Sequence, residues 1–301
     1  MRRFLDKIFK VEKTNYQAIL VLTAIAYGNR DVRLLDKAIA KWLEYIRYEP
    51  VSEKEENEIY DWITKLAKIL VELDADKIRN NKELVLVLLK WAFSVRGDGE
   101  IDALAKAGLY LQWLFPLEKD PQNKKLNYIA ETTVKDKIEK PDDLKLIIKG
   151  LFRAVRVSEM RVLRPAARYL GALVRACNLE DKKKEFKKLT AEIMNLPVTP
   201  ANDKIKAELC NSIRDFNDKS LVDVILSAMK KIVDSNDTRE AHLFFRKAHP
   251  ALNALLGDIY KPKEHFRRRK PRMIYYKELY EGWLAEIKKL RAKNAQTTPN
   301  K

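Results

Sequence analysis

Between Ser158 and Cys177 the chain reads SEMRVLRPAARYLGALVRAC, and four of these residues, Arg161, Arg164, Arg168 and Arg175, have the type and spacing to hold anions. At about 100° per residue they share one side of a helix. Val162, Leu163, Ala166, Ala167, Tyr169, Leu170, Leu173 and Val174 form the apolar face opposite. A guanidinium presents five N–H donors in a rigid fork that matches phosphate or carboxylate oxygens, so the stripe is suited to gripping a polyanion. One helix earlier, Lys145, Lys149, Arg153 and Arg156 fall within about 80° of one another. Two consecutive antiparallel helices would then present adjoining basic ridges, with Lys182, Lys183, Lys184, Lys187 and Lys188 beyond them. A second basic run, HFRRRKPR from His265 to Arg272, lies in a linker marked by Pro262 and Pro271 and supplies Arg267, Arg268, Arg269 and Arg272 as a basic arm.

These two stretches hold almost all of the net charge of +17. Residues 145–188 carry thirteen lysines and arginines against four carboxylates, and residues 261–277 carry eight against Glu264 alone. The remainder is close to balanced, so the positive charge is local. Neutralising about six phosphates would make log affinity fall with log salt at a slope of roughly −5.

Other chemistries find little support. His242, His249 and His265 are the only histidines, and none has a cysteine or carboxylate at metal-ligand spacing, so neither a metal nor a cofactor is expected. The chain has no glycine-rich phosphate loop and no nucleophile elbow. Asp98 and Glu100 flank Gly99 as a carboxylate pair, but turn and helix-cap roles account for both. Trp42, Trp62, Trp91, Trp113 and Trp283 fall on apolar faces and are expected in the core.

Helices must position the stripe. The periodicity predicts them near 14–28, 31–48, 53–73, 80–96, 100–115, 123–139, 142–157, 159–177, 180–195, 202–216, 219–234, 238–256 and 272–293. Nine of the eleven prolines fall in the gaps between these segments, and Pro165 and Pro250 predict a kink inside two of them. Ser52 and Glu55 form a capping box for the helix at 53.

Glu100 to Leu114, EIDALAKAGLYLQWL, aligns without gaps on Glu159 to Leu173, EMRVLRPAARYLGAL, sharing Leu, Ala, Tyr-Leu and Leu. Asp31 to Ala38 carries the first half of this frame, and Glu240 to Leu256 carries a degraded copy with one inserted residue. The full arginine stripe is not shared, since the first copy has Arg33, Asp36 and Ala40 at the corresponding places and the second has Asp102, Ala105 and Leu109. The run VLRPAARYLGALV resembles the second helix of a HEAT repeat, and the grouping of helices in threes is similar to armadillo units. That resemblance implies a curved helical array with a binding concavity and assigns no functional residue.

The expected fold is therefore all-α, an α-solenoid-like array of about four diverged three-helix repeats with a C-terminal capping helix. The expected divisions are repeat 1 at 1–78, repeat 2 at 79–140, basic repeat 3 at 141–200 and an inserted helix at 201–217. A degenerate repeat 4 with its basic linker and last helix follows at 218–294, and a tail at 295–301. Tyr276, Tyr280, Trp283, Ile287 and Leu290 form a heptad seam that would cap the array or pair with a second copy as a homodimer.

A hydrophobic content of 46% suffices for a core, yet no stretch reaches the roughly 18 apolar residues of a membrane span. Two cysteines, Cys177 and Cys210, form no disulfide framework, and Cys177, on the apolar face of its helix, reads as a buried small hydrophobe in a reducing, cytoplasmic setting. The charged content of 34% resembles a thermophile's. The favoured function is a non-catalytic nucleic-acid-binding protein gripping DNA or RNA by its phosphates. The alternative is a scaffold for an acidic protein, and an enzyme acting on nucleic acid stands third.

Overall fold

The computed structural model describes residues 16–48, 52–235, 241–262 and 272–297, and the protein is all-α, with 81% of the described residues helical. It divides into two compact units, residues 1–114 and 115–301.

The first unit contains α1 (Tyr16–Asn29), α2 (Val32–Tyr48), α3 (Glu53–Leu73), α4 (Ala75–Arg79), α5 (Lys82–Ser94) and α6 (Glu100–Leu114). Its starts follow local chemistry. Asp31 Oδ1 accepts from the Arg33 and Leu34 amides, and the Ser52 side chain accepts from the Glu55 amide, as the capping-box spacing predicts. Gly97 and Gly99 adopt φ of +70° and +86°, so the α5–α6 turn uses a left-handed conformation that other residues reach only with strain. The core is apolar, centred on Trp42, Leu35, Ile59, Ile63 and Leu66. Of the four tryptophans here, only Trp42 is buried. Trp62, Trp91 and Trp113 are half-buried, and Lys65, Lys106 and Arg79 respectively lie over their rings, so the core expectation fails for these three.

The second unit begins with a short antiparallel hairpin, β1 (Glu118–Lys119) and β2 (Asn127–Tyr128). It continues with α7 (Glu131–Lys137), α8 (Pro141–Ala154), α9 (Met160–Cys177), α10 (Glu180–Met194), α11 (Pro200–Phe216), a 3₁₀ turn (Lys219–Leu221), α12 (Val222–Ser235), α13 (Ala241–Leu256) and α14 (Arg272–Thr297). The helix expected over 123–139 is thus replaced by a hairpin and a seven-residue helix. Asp120 drives the difference, because its Oδ1 accepts from the Gln122 and Asn123 amides and bends the chain before a helix can begin. Pro141 and Pro200 sit at helix N-termini rather than in gaps, where the missing amide costs nothing. Pro165 and Pro250 lie inside α9 and α13, both of which continue past them.

The hub of this unit is α11, packed between α9 and α13. Gly171 of α9 allows the closest approach: a Cβ placed there would lie 1.9 Å from the Ser212 carbonyl oxygen. Ser212 Oγ donates across the same contact to the Ala167 carbonyl at 2.6 Å. Helix α11 is also unusual in burying charge. Asp203, Lys206, Glu208, Ser212 and Asp215 account for five of the eight buried polar residues among the described residues. Along α14, Tyr276, Trp283 and Ile287 of the heptad seam are buried within the unit, Tyr276 stacking on Phe245 of α13.

Candidate functional site

The stripe on α9 is divided by its surroundings. Arg161, Arg164 and Arg168 are exposed. Arg161 lies 3.9 Å from Glu159, and Arg164 Nε lies 3.5 Å from Glu208. Arg168 makes no hydrogen bond or ion pair with a described residue. Arg175 is turned against the hairpin. Its Nη2 donates to the Asn127 carbonyl at 2.8 Å, its Nη1 lies 3.5 Å from Asp120, and its guanidinium stands over the Tyr128 ring.

Around Arg164 and Arg168 opens a cleft of about 590 Å³, floored by α11 and walled by α9, α13 and the hairpin. Its lining contains six cationic side chains, Lys119, Arg164, Arg168, Arg214, Arg246 and Lys247, against one carboxylate, Glu208. Leu117, Asn127 and Asn211 complete it.

Two buried carboxylates on α11 hold several of these cations in place. Glu208, 3% exposed, accepts from Asn211 Nδ2 at 2.8 Å and lies within 3.9 Å of Lys247 Nζ as well as near Arg164. Asp215, wholly buried, accepts from Arg214 Nε at 2.9 Å and Nη2 at 3.3 Å. The same carboxylate accepts from the Asn127 amide at 3.0 Å and Asn127 Nδ2 at 2.8 Å, fixing the hairpin to the helix. A buried carboxylate without partners is costly, so these contacts are required by the fold and at the same time orient the guanidinium groups above.

The remaining residues expected at the site lie elsewhere. Lys145, Lys149, Arg153 and Arg156 belong to α8 and the turn after it and do not line the cleft. Lys145 pairs with Asp142 and Arg156 with Glu192, while Arg153 is half-buried. Arg267, Arg268 and Arg269 lie outside the described residues, and Arg272 opens α14. Of the cleft's six cations, sequence reasoning identified Arg164 and Arg168. Arg246 had a signal: with its one inserted residue, the degraded frame copy places Arg246 where the third copy has Arg164.

The cysteine thiols are not activated. Cys210 lies beneath the cleft beside Lys247, Glu208 and Arg214, but full burial pushes its thiol far up from the ordinary range, and burial raises Cys177 as well. Burial likewise pushes the Tyr169 phenol up to about 12. Among the described residues no group of His, Cys, Asp and Glu is arranged to hold a metal ion, and no helix is long and apolar enough to cross a membrane. Geometry and charge therefore describe a cationic cleft, several of whose side chains are held by buried carboxylates. The chain matches no family model, no curated protein and no solved structure.

Proposed function

We propose that the protein binds nucleic acid through its phosphates, with the cleft of the second unit as the principal grip. The observation that carries this is the convergence of Lys119, Arg164, Arg168, Arg214, Arg246 and Lys247 from three helices and a hairpin onto one concavity. Separate surface charges are ordinarily solvated, whereas cations gathered into a cleft focus their field and raise the local concentration of an anionic partner. Exposed Lys145 and Lys149 on α8, which packs against α9, extend the basic surface. The basic run at 267–269 is assigned to the same task on its composition.

The scaffold is read as a diverged helical repeat of HEAT-like kind. What supports this is that each frame helix, α2, α6, α9 and α13, packs against the helix before it. On this reading the stripe was added to a shared framework, since the frame copy at 31 has only Arg33 and the copy at 100 has no arginine at the corresponding places.

Binding of generic DNA and RNA across a salt series tests the function. The expected result is a steep negative slope, reduced by about one unit for each phosphate contact removed, in an Arg164→Ala, Arg168→Ala, Arg246→Ala triple variant. Salt-independent binding, or a triple variant that binds as the parent does, overturns it. Retention of an acidic protein with no affinity for either nucleic acid would favour the scaffold alternative instead.

A further inference from the structure

The composition of the cleft wall bears on what kind of phosphate it takes. A site that reads or stacks bases needs an aromatic or apolar platform. Among the described residues Leu117 is the only apolar one of the lining, and no aromatic ring joins it. The volume of about 590 Å³ lies within the range of small-ligand sites, so the cleft encloses a compact group rather than a long duplex surface. Its charge is dense for that volume, with six cations facing one carboxylate. A phosphodiester strand brings one negative charge per nucleotide, spread along its length, so a run of linked phosphates matches this charge density more closely.

The donors are also preset. Glu208 and Asp215 sit beneath Arg164, Lys247 and Arg214, so these side chains are oriented before a ligand arrives. Arg168 and Arg246 are exposed on the walls from α9 and α13. Preset forks matched by exposed ones suit a ligand with several anionic oxygens in a few ångströms.

We propose that the cleft seats an oligophosphate chain, such as the triphosphate of a free nucleotide or of a 5′-triphosphorylated strand end. This rests on the reading above only in assigning the same cleft to phosphate. The chemistry common to both sources is a run of linked phosphates, and a base contributes nothing to the affinity.

The test is calorimetry on the full chain at fixed ionic strength with inorganic tripolyphosphate, orthophosphate and matched oligoribonucleotides bearing a 5′-triphosphate or a 5′-hydroxyl. Tripolyphosphate is expected to bind at least about tenfold more tightly than orthophosphate and to displace the triphosphorylated strand. Arg168→Ala and Arg246→Ala, both at exposed positions outside the core, each weaken tripolyphosphate about tenfold, as loss of a charged hydrogen-bonding group implies. Lys230→Ala, exposed on α12 and outside the cleft, changes nothing.

If the hydroxyl-ended strand binds as tightly as the triphosphorylated one and tripolyphosphate does not compete, the oligophosphate assignment falls while backbone binding stands. If tripolyphosphate binds and neither strand does, the free-ligand source is supported and the nucleic-acid function falls. Tripolyphosphate binding unaffected by either arginine variant places the ligand outside this cleft and overturns the proposal.

Discussion

Arg168 and Arg175 stand two turns apart on α9, on the same side of the helix, and have opposite surroundings. Arg175 has its donors and its ring-facing plane occupied by Asn127, Asp120 and Tyr128, and its side chain is 22% exposed. Arg168 faces the cleft with no partner among the described residues. Helical periodicity places both on one stripe, but it says nothing about which carboxylates and carbonyls other elements bring to each. The hairpin takes one arginine for the fold and leaves the other exposed on the cleft wall.

The contact between α9 and α11 underlies both arginines, and breaking it has the largest expected effect. Gly171 lies between them in sequence, where a methyl group would meet the Ser212 backbone at 1.9 Å. Gly171→Ala must push the helices apart or bend one of them, at a cost of about 3 kcal/mol. Urea denaturation measures this, and phosphate binding should weaken with it, since Arg164 and Glu208 come from the two helices being separated. A variant as stable as the parent would mean that the close approach is not a constraint.

The two arginines themselves give the next contrast. Arg175→Ala is expected to destabilise the protein by about 1–3 kcal/mol, because it strips a partner from the Asn127 carbonyl and from Asp120. Its salt slope for nucleic acid should stay that of the parent. Arg168→Ala should reverse the pattern, with stability unchanged within about 0.5 kcal/mol and a slope smaller by about one unit. Equal behaviour of the two variants in either measurement would remove the distinction.

Much of the helical framework was legible from the sequence. The α3 boundaries, the Ser52 cap and the apolar face of α9 follow from local chemistry that needs no distant partner. The hairpin was not legible, because strands of two residues have no period to detect and Asn127 is held by Asp215, 88 positions later. The cleft was half legible. Arg164 and Arg168 stood out as a stripe, whereas Arg214 and Glu208 lie on α11, which reads in sequence only as an inserted helix. Its Asp203 and Lys206 form an ion pair at 3.1 Å, and Lys206 Nζ also donates to the Pro197 carbonyl. Pairing of that kind lets a polar sequence occupy the centre of a unit, and composition alone gives no sign of it.

His249 extends the contrast between committed and free side chains to a group that titrates. Trp283 Nε1, which can only donate, gives its proton to His249 Nδ1 at 3.1 Å, so that nitrogen is unprotonated and the neutral ring carries its hydrogen on Nε2. Nε2 lies 3.2 Å from the Asn253 amide, whose oxygen is the fitting acceptor. Tyr260 stands edge-on to the ring, and Asp258 is the facing charge. Burial lowers the His249 pKa below its ordinary 6.5, and the Asp258 carboxylate opposes this only in part. A depressed folded value means that the unfolded chain binds the proton more readily. The stabilisation is therefore complete above about pH 6.5 and is lost as pH falls from there toward the folded value. Urea midpoints of the parent should fall across that window, and those of His249→Gln, whose amide oxygen can accept from Trp283 without titrating, should stay level. A parent curve as level as the variant's would show that the α13–α14 contact tolerates a protonated ring, placing His249 with Arg168 among the uncommitted side chains.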